Sequence, residues 1–233
     1  MSSKHIKKAI ILLSGGLDSS TVLYFAKKRG YKCYCLIFDY GQRHRKEIKS
    51  AILIAKAAHS KRQIVKIGFP WQGSSLLDKN KKIPNRSTVI TRQPLFKKTD
   101  NSAIPSTYVP GRNIIFLSFA VSYAEAIGAN AIFIGANARD FSGYPDCRPK
   151  FYEAFRKAVK TGTKTGATGR NIGIITPLIN MSKADIVRLG FKLKVPYELT
   201  WSCYEGNKEP CGKCDSCLFR LKGFKEAGFK DSL

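Results

Sequence analysis

A short apolar run at residues 7–13 breaks into Ser14-Gly15-Gly16-Leu17-Asp18-Ser19-Ser20, and residues 19–29 then continue as a stretch closed by Gly30. No other feature limits the possible folds as much. The run reads as a buried strand and the stretch as a helix, so the glycines stand where a strand hands over to a helix. Glycine lets a backbone turn sharply and approach an anion, and the helix that follows presents unpaired N–H groups with a partial positive charge. The hydroxyls of Ser14, Ser19 and Ser20 add donors at the same place. No Gly-Lys-Ser/Thr follows, and the glycine spacing is not that of a dinucleotide fingerprint. The bland alternative is a plain turn in which Asp18 or Ser19 caps the helix.

The rest of the pattern supports an α/β fold. Residues 32–39 read as a second strand, 43–59 as a charged helix and 63–67 as a third strand, and this alternation predicts a parallel sheet with right-handed crossovers. Residues 71–106 lack a strong period and read as a long loop. A helix is expected over 114–127, a strand over 131–135, a helix over 149–160 and a strand over 173–176. Residues 182–189 read as a helix with a capping box from Ser182 and Asp185. At 233 residues with 43% hydrophobic composition, the chain has the material for one substantial core.

From Trp201 onward the composition shifts to cysteine, glycine and charge. Cys203, Cys211, Cys214 and Cys217 are spaced C-x7-C-x2-C-x2-C, a crowding of soft thiolates that suits tetrahedral Zn²⁺ in a closed, structural site. The rivals are an iron–sulfur cluster, a redox dithiol and ordinary buried cysteines. A ferredoxin run calls for a further Cys and Pro shortly afterwards, where Arg220 and Leu221 stand. Cys33 and Cys35 alternate along a strand and read as core, while Cys147 is either packing or a catalytic thiol.

Lys+Arg 41 against Asp+Glu 16 gives a net charge of +25, which ordinarily suggests a polyanionic partner. The basic residues are dispersed, with no aromatic-interleaved nucleic-acid motif, so a lysine-rich surface with a positive field for a phosphorylated ligand is the simpler reading. No apolar run approaches the roughly 18–20 residues needed to cross a bilayer, and the apolar stretch behind the basic N-terminus is too short for a signal-peptide core. A cytoplasmic location is expected, and with it reduced cysteines.

The loop resembles the S-G-G-x-D-S signature of PP-loop ATP pyrophosphatases. Four further segments resemble the 7-cyano-7-deazaguanine synthase (QueC) family within them: Phe38-Asp39-Tyr40-Gly41-Gln42-Arg43-His44; Tyr108-Val109-Pro110-Gly111-Arg112-Asn113; Asp140 through Pro149; and Thr200-Trp201-Ser202-Cys203-Tyr204 with the later cysteines. The resemblance implies an adenine nucleotide α-hydrolase-like, Rossmann-like sheet flanked by helices over residues 1–200, with a small zinc module over 201–233. It implies ATP bound by Leu13, Ser14, Gly15, Gly16, Leu17, Asp18, Ser19, Ser20, Thr21, Val22 and Leu23, with Asp18 organising the site through Mg²⁺. It further implies conversion of 7-carboxy-7-deazaguanine with ammonia and ATP into the nitrile preQ0, a queuosine precursor. A homodimer is an allowed assembly; a specific nucleic acid and a membrane are not expected partners.

The residue chemistry can be weighed without the family. His44, between two arginines after a strand end, is a phosphate ligand, a base near neutral pH, or an exposed histidine on a charged helix. Arg112 and Asn113 open a helix, where a fork-shaped cation and an amide suit a phosphate or a planar heterocycle, or merely cap. Asp140, Asp146 and Arg148 occupy a loop after a strand, with Tyr144 able to stack on a purine-like ring, or form a salt-bridged turn. The expected catalytic set is Ser14, Asp18, His44 and Arg112. The expected substrate set is Gln42, Arg43, Arg112, Asn113, Asn137, Asp140, Tyr144, Asp146 and Arg148. Two rival activities remain at this stage: a PP-loop enzyme acting directly on tRNA, and a non-enzymatic zinc and nucleic-acid binder.

Overall fold

The computed structural model describes residues 6–43, 45–71, 73–78, 80–84, 104–139, 143–205 and 208–233. Strand β1 (Lys8–Leu12) runs into helix α1 (Leu17–Lys28), followed by β2 (Lys32–Asp39), α2 (Lys46–Ala57) and β3 (Lys61–Lys66). After the long connection come α3 (Arg112–Ile127), β4 (Ala131–Ile134), α4 (Pro149–Gly162), the short α5 (Lys164–Ala167), β5 (Gly173–Ile175), α6 (Lys183–Lys192) and α7 (Asp215–Ala227). Among the described residues five strands form one sheet in the order β3-β2-β1-β4-β5, and every pairing is parallel. Strand order therefore reverses between β1 and β4. In such sheets ligands bind in the crevice beyond the carboxyl ends of the two strands that flank the reversal.

Helices cover both faces, which is why β1 is an uninterrupted apolar run. Ala9 and Ile11 point to one side, where they pack with Cys33, Cys35, Leu23, Ile54 and Ile186. Ile10 and Leu12 point to the other, against Leu36, Leu117, Ala120 and Tyr152. Cys33 and Cys35 are core residues, and burial pushes both thiols up to about 12. At the sheet margin β3 is exposed along most of its length and begins with Lys61 and Arg62, charges of the kind that discourage edge-to-edge pairing.

The capping box on α6 is present in full: Ser182 Oγ accepts from Asp185 N–H at 3.1 Å and Asp185 Oδ2 accepts from Ser182 N–H at 3.3 Å. An N-cap of this kind contributes about 1 kcal/mol. Hydrogen bonding from Ser182 holds the Asp185 carboxyl below its ordinary value, so the contribution is present at neutral pH and is lost as the pH falls through that lowered value.

Residues 201–233 pack onto the sheet domain rather than standing apart from it. Phe224 of α7 lies in the same apolar cluster as Val187 and Tyr197. Arg220, 5% exposed, makes a bidentate pair with Asp231, Nε to Oδ2 at 2.7 Å and Nη2 to Oδ1 at 2.8 Å. Its remaining donors reach Thr200 Oγ1 at 2.7 Å and the Tyr197 carbonyl at 3.3 Å. Trp201 N–H then donates to the Gly15 carbonyl at 2.9 Å, which joins this segment to the loop after β1.

Candidate nucleotide site and cysteine cluster

A cavity opens at the crevice beyond β1 and β4. One end is lined by Ser14, Gly16, Asp18, Ser19 and Lys183, the other by Arg112, Asn113, Tyr144 and Cys147, with Trp201, Ser202 and Tyr204 along a wall. Gly16 is the N-cap of α1 and no side chain caps it, so neither Asp18 nor Ser19 plays that part. The Ser19 and Ser20 hydroxyls instead donate back to the Gly16 carbonyl at 3.2 and 2.8 Å. Ser14 N–H donates to Ser19 Oγ at 3.2 Å and Gly16 N–H to Ser14 Oγ at 3.4 Å, folding the loop on itself. Gly15 has φ +84°, and a Cβ there would overlap the Glu47 carbonyl oxygen. Only glycine lets the loop lie against α2 in this way.

Asp18 meets a cation the sequence reading missed. Lys183 Nζ lies 2.8 Å from both Asp18 carboxylate oxygens, and both side chains are mostly buried. Lys183 is the first residue of α6, at the positive end of the helix dipole, where a cation is disfavoured. That misplacement was the one available signal. Trp201, Ser202 and Tyr204 line the cavity as well, and their only signal in the sequence is their place in the segment around Cys203. Arg220 and Asp231 carried no local signal at all.

Not every expected nucleotide residue faces the cavity. Leu13, Ser14, Gly16, Leu17, Asp18 and Ser19 line it. Thr21, Val22 and Leu23 lie on the inner side of α1: Thr21 Oγ1 donates to the Leu17 carbonyl and pairs with Tyr197 Oη at 2.8 Å, while Val22 and Leu23 are fully buried in the core. Gly15 and Ser20 shape the loop from behind.

At the far end Arg112 Nη1 donates to Tyr40 Oη at 3.4 Å. Burial works against its charge, but Tyr40, Tyr144 and Asp146 outweigh that and hold the guanidinium above its ordinary value. Tyr144 Oη is 2.6 Å from Thr107 Oγ1. Asp146 lies behind this surface, 4% exposed, accepting from Asn113 N–H at 3.2 Å. Burial raises its carboxyl, with Arg112 and the Asn113 N–H opposing. Burial and the neighbouring Asp146 push the Cys147 thiol up to about 12, which disfavours the thiolate that a nucleophile needs.

Gln42 lines the cavity and braces the end of β2, accepting from Tyr40 N–H at 2.9 Å and donating to the Phe38 carbonyl at 3.2 Å. Arg43 turns away to the Ser75 and Lys81 carbonyls at 3.3 and 2.7 Å. Asn137 borders the cavity, but its amide donates to the Met181 carbonyl at 2.8 Å and accepts from Arg139 N–H at 2.8 Å. Arg148 is exposed at the start of α4 and does not line the cavity. His44 and Asp140 lie outside the described residues.

Beside the cavity, the sulfurs of Cys203, Cys211, Cys214 and Cys217 all lie within 4.8 Å of one another. Four sulfurs on a tetrahedral ion at about 2.3 Å would stand about 3.8 Å apart, so this set fits a metal ion. Cys203 Sγ accepts from the N–H groups of Cys211 and Glu205 at 3.3 and 3.4 Å, and Cys211 Sγ from that of Cys214 at 3.3 Å. Hydrogen bonds from the Cys214 and Cys217 thiols, with these backbone donors, hold the Cys203 thiol far below its ordinary value. Gly212, at φ +70°, makes the turn between the second and third cysteines. Cys214 occupies the N-cap position of α7 without a side-chain capping hydrogen bond, which puts Cys217 in the first turn.

The family model described as "Queuosine biosynthesis protein QueC" matches residues 8–228. The chain belongs to the QueC family. A 7-cyano-7-deazaguanine synthase of Thermoplasma volcanium is 54% identical over 227 residues, covering 97% of this chain and 90% of that protein. One from Acetivibrio thermocellus is 53% identical over 229 residues, covering 98% and 97%. One from Nostoc punctiforme is 52% identical over 228 residues, covering 97% and 98%. The QueC match embraces the phosphate loop, the Arg112 end of the cavity and all four clustered cysteines. Among the described residues no helix is long and apolar enough to cross a membrane.

Proposed function

We propose that the chain activates the carboxylate of 7-carboxy-7-deazaguanine by adenylation and converts it with ammonia into 7-cyano-7-deazaguanine for queuosine biosynthesis. The observation that carries this reading is a single cavity with an anion-binding loop and Lys183 at one end and Arg112 with Tyr144 at the other. The family supports the choice of substrate. A carboxylate is a poor electrophile because oxide would have to leave. Attack of its oxygen on the α-phosphorus of ATP expels pyrophosphate and leaves an acyl-adenylate. Ammonia then displaces AMP to give the amide. The amide oxygen attacks a second ATP in the same way, expelling pyrophosphate and giving up one N–H proton to form a neutral adenylated imidate, and loss of AMP with the remaining N–H proton yields the nitrile.

The chain contributes position and charge to these steps. Ser14, Ser19 and the N-terminus of α1 hold the departing pyrophosphate, and Lys183 neutralises it once the nucleotide draws the ammonium from Asp18. Asp18 is a hard oxygen donor of the kind that, with nucleotide phosphates, suits Mg²⁺. Arg112, Asn113 and Tyr144 face the deazaguanine, and Asp146 sets Asn113 and Arg112 from behind. Zn²⁺ fits the four thiolates as a closed structural ion. The reaction is placed in the cytoplasm, where thiols stay reduced for metal binding.

Incubation with ATP, ammonium and the carboxylated deazaguanine, with no RNA, should give the nitrile together with AMP and pyrophosphate by mass spectrometry. Release of ADP and phosphate, or a strict need for tRNA, would defeat the proposal. The assembly is proposed as a homodimer, supported by the exposed Ile114 and Phe119 on α3, apolar groups that a second copy would cover. Sedimentation should show a species of twice the chain mass, weakened by Phe119→Glu; a monomer at every concentration would refute it.

A further inference from the structure

Glycine is the poorest residue but proline for a helix interior, yet Gly223 stands in the middle of α7 and is buried. What lies over it is the stem of Lys183. A Cβ built at residue 223 would overlap Lys183 Cγ and stand 3.0 Å from its Cβ and 3.3 Å from its carbonyl carbon. The glycine thus leaves a groove across α7 in which the first half of the lysine side chain lies. From that groove the ammonium reaches both oxygens of Asp18 at 2.8 Å. Lys183 begins α6 and Asp18 lies in the first turn of α1, so three helices meet at this one ion pair.

We infer that Gly223 is a positioning residue for the nucleotide site, fixing through the stem of Lys183 where that ammonium stands in the cavity. This rests on reading the Asp18 end of the cavity as the phosphate end. It also gives the cysteine cluster a second consequence. Helix α7 begins just after Cys214 and carries Cys217 in its first turn, so the groove that aims Lys183 belongs to an element rooted in the cysteine cluster.

The test is a double-mutant cycle on the metal-loaded protein, reading kcat and KM for ATP together with metal content and thermal midpoint. Lys183→Ala should lower kcat/KM for ATP by about 10²–10³, the scale of one lost stabilising group. Gly223→Ala should lower it about 10–100-fold by displacing that group, with metal content unchanged. Adding Gly223→Ala to Lys183→Ala should then cost far less, because Cγ, the atom the methyl overlaps, is gone and only the closer-than-usual contacts to Cβ and the carbonyl carbon remain. Equal costs in both backgrounds, or an unimpaired Gly223→Ala beside an impaired Lys183→Ala, overturn the positioning role alone. An unimpaired Lys183→Ala overturns the phosphate reading and the inference with it. If Gly223→Ala is recovered poorly, the inference requires Lys183→Ala to restore its recovery; a double variant recovered as poorly as the single overturns it.

Discussion

Cys214→Ser is expected to yield chain that fails to accumulate in folded form, rather than a folded enzyme with slow turnover. Binding of a structural zinc is folding free energy, about 10–16 kcal/mol at neutral pH, against a whole-domain stability of about 5–15 kcal/mol. A serine hydroxyl is a hard, neutral donor and does not replace a thiolate in a soft site. The loss spreads beyond the four ligands. Cys214 stands at the N-cap position of α7 and Cys217 in its first turn, Arg220 of α7 holds Thr200, and Trp201 is bonded to Gly15 of the phosphate loop. Recovery of soluble protein, metal analysis of the wild-type chain and its unfolding with and without a chelator make the check. About one zinc per chain is expected. Iron with sulfide, or a metal-free Cys214→Ser protein of ordinary yield and stability, would refute the expectation.

The sheet was legible from the sequence where burial is complete. The run at β1 and the β-rich stretch at β2 are apolar because helices cover both their faces, and their bounds were read to within a residue. β3 was placed two residues late because Lys61 and Arg62 look like loop residues and are instead the charged start of an edge strand. α2 was expected to begin at residue 43, three residues before its start at Lys46. Gln42 turns its side chain back to the Phe38 carbonyl, and Arg43 spends its own on the Ser75 and Lys81 carbonyls, contacts across 32 and 38 residues that no local window shows. The short α5 lies beyond residue 160, where the expected helix ends, and its four residues are too few to show a period.

The site was legible wherever its residues are contiguous. The loop from Ser14 to Ser19 and the cysteine cluster each carry their own spacing, and the fold puts the loop on the cavity and the four sulfurs within 4.8 Å of one another. Lys183 is 165 residues from the aspartate it pairs with, and Arg220 and Asp231 meet through the return of the chain after α7. Such pairs are products of topology. The sequence held a hint only at Lys183, through a cation at the wrong end of a helix. Asp146 carried the opposite difficulty: an acid on a Gly/Pro-shaped loop invites a direct substrate role, but the fold places it under the N-terminus of α3.

Arg112→Met should lower kcat/KM for the carboxylated deazaguanine by about 10²–10³ while KM for ATP stays near its wild-type value. The guanidinium is fixed among Tyr40, Tyr144 and Asp146, and a cation held in place where water is excluded acts far more strongly than one in solvent. Lysine keeps the charge but not the planar fork, so Arg112→Lys should recover activity only in part. Stability gives an independent reading. Burial already raises the Asp146 carboxyl, and Arg112 is the cation that opposes this. Removing it moves the folded-state value further above the unfolded one. A group shifted that way contributes stability that is fully present below its unfolded pKa and is lost as the pH rises through its folded pKa. The difference in thermal midpoint between wild type and Arg112→Met should therefore be small in acid and widen towards neutral pH, and Arg112→Lys should remove most of that widening. An equal rise in KM for ATP would assign Arg112 to the nucleotide instead. A pH-independent gap would show that Asp146 does not depend on it.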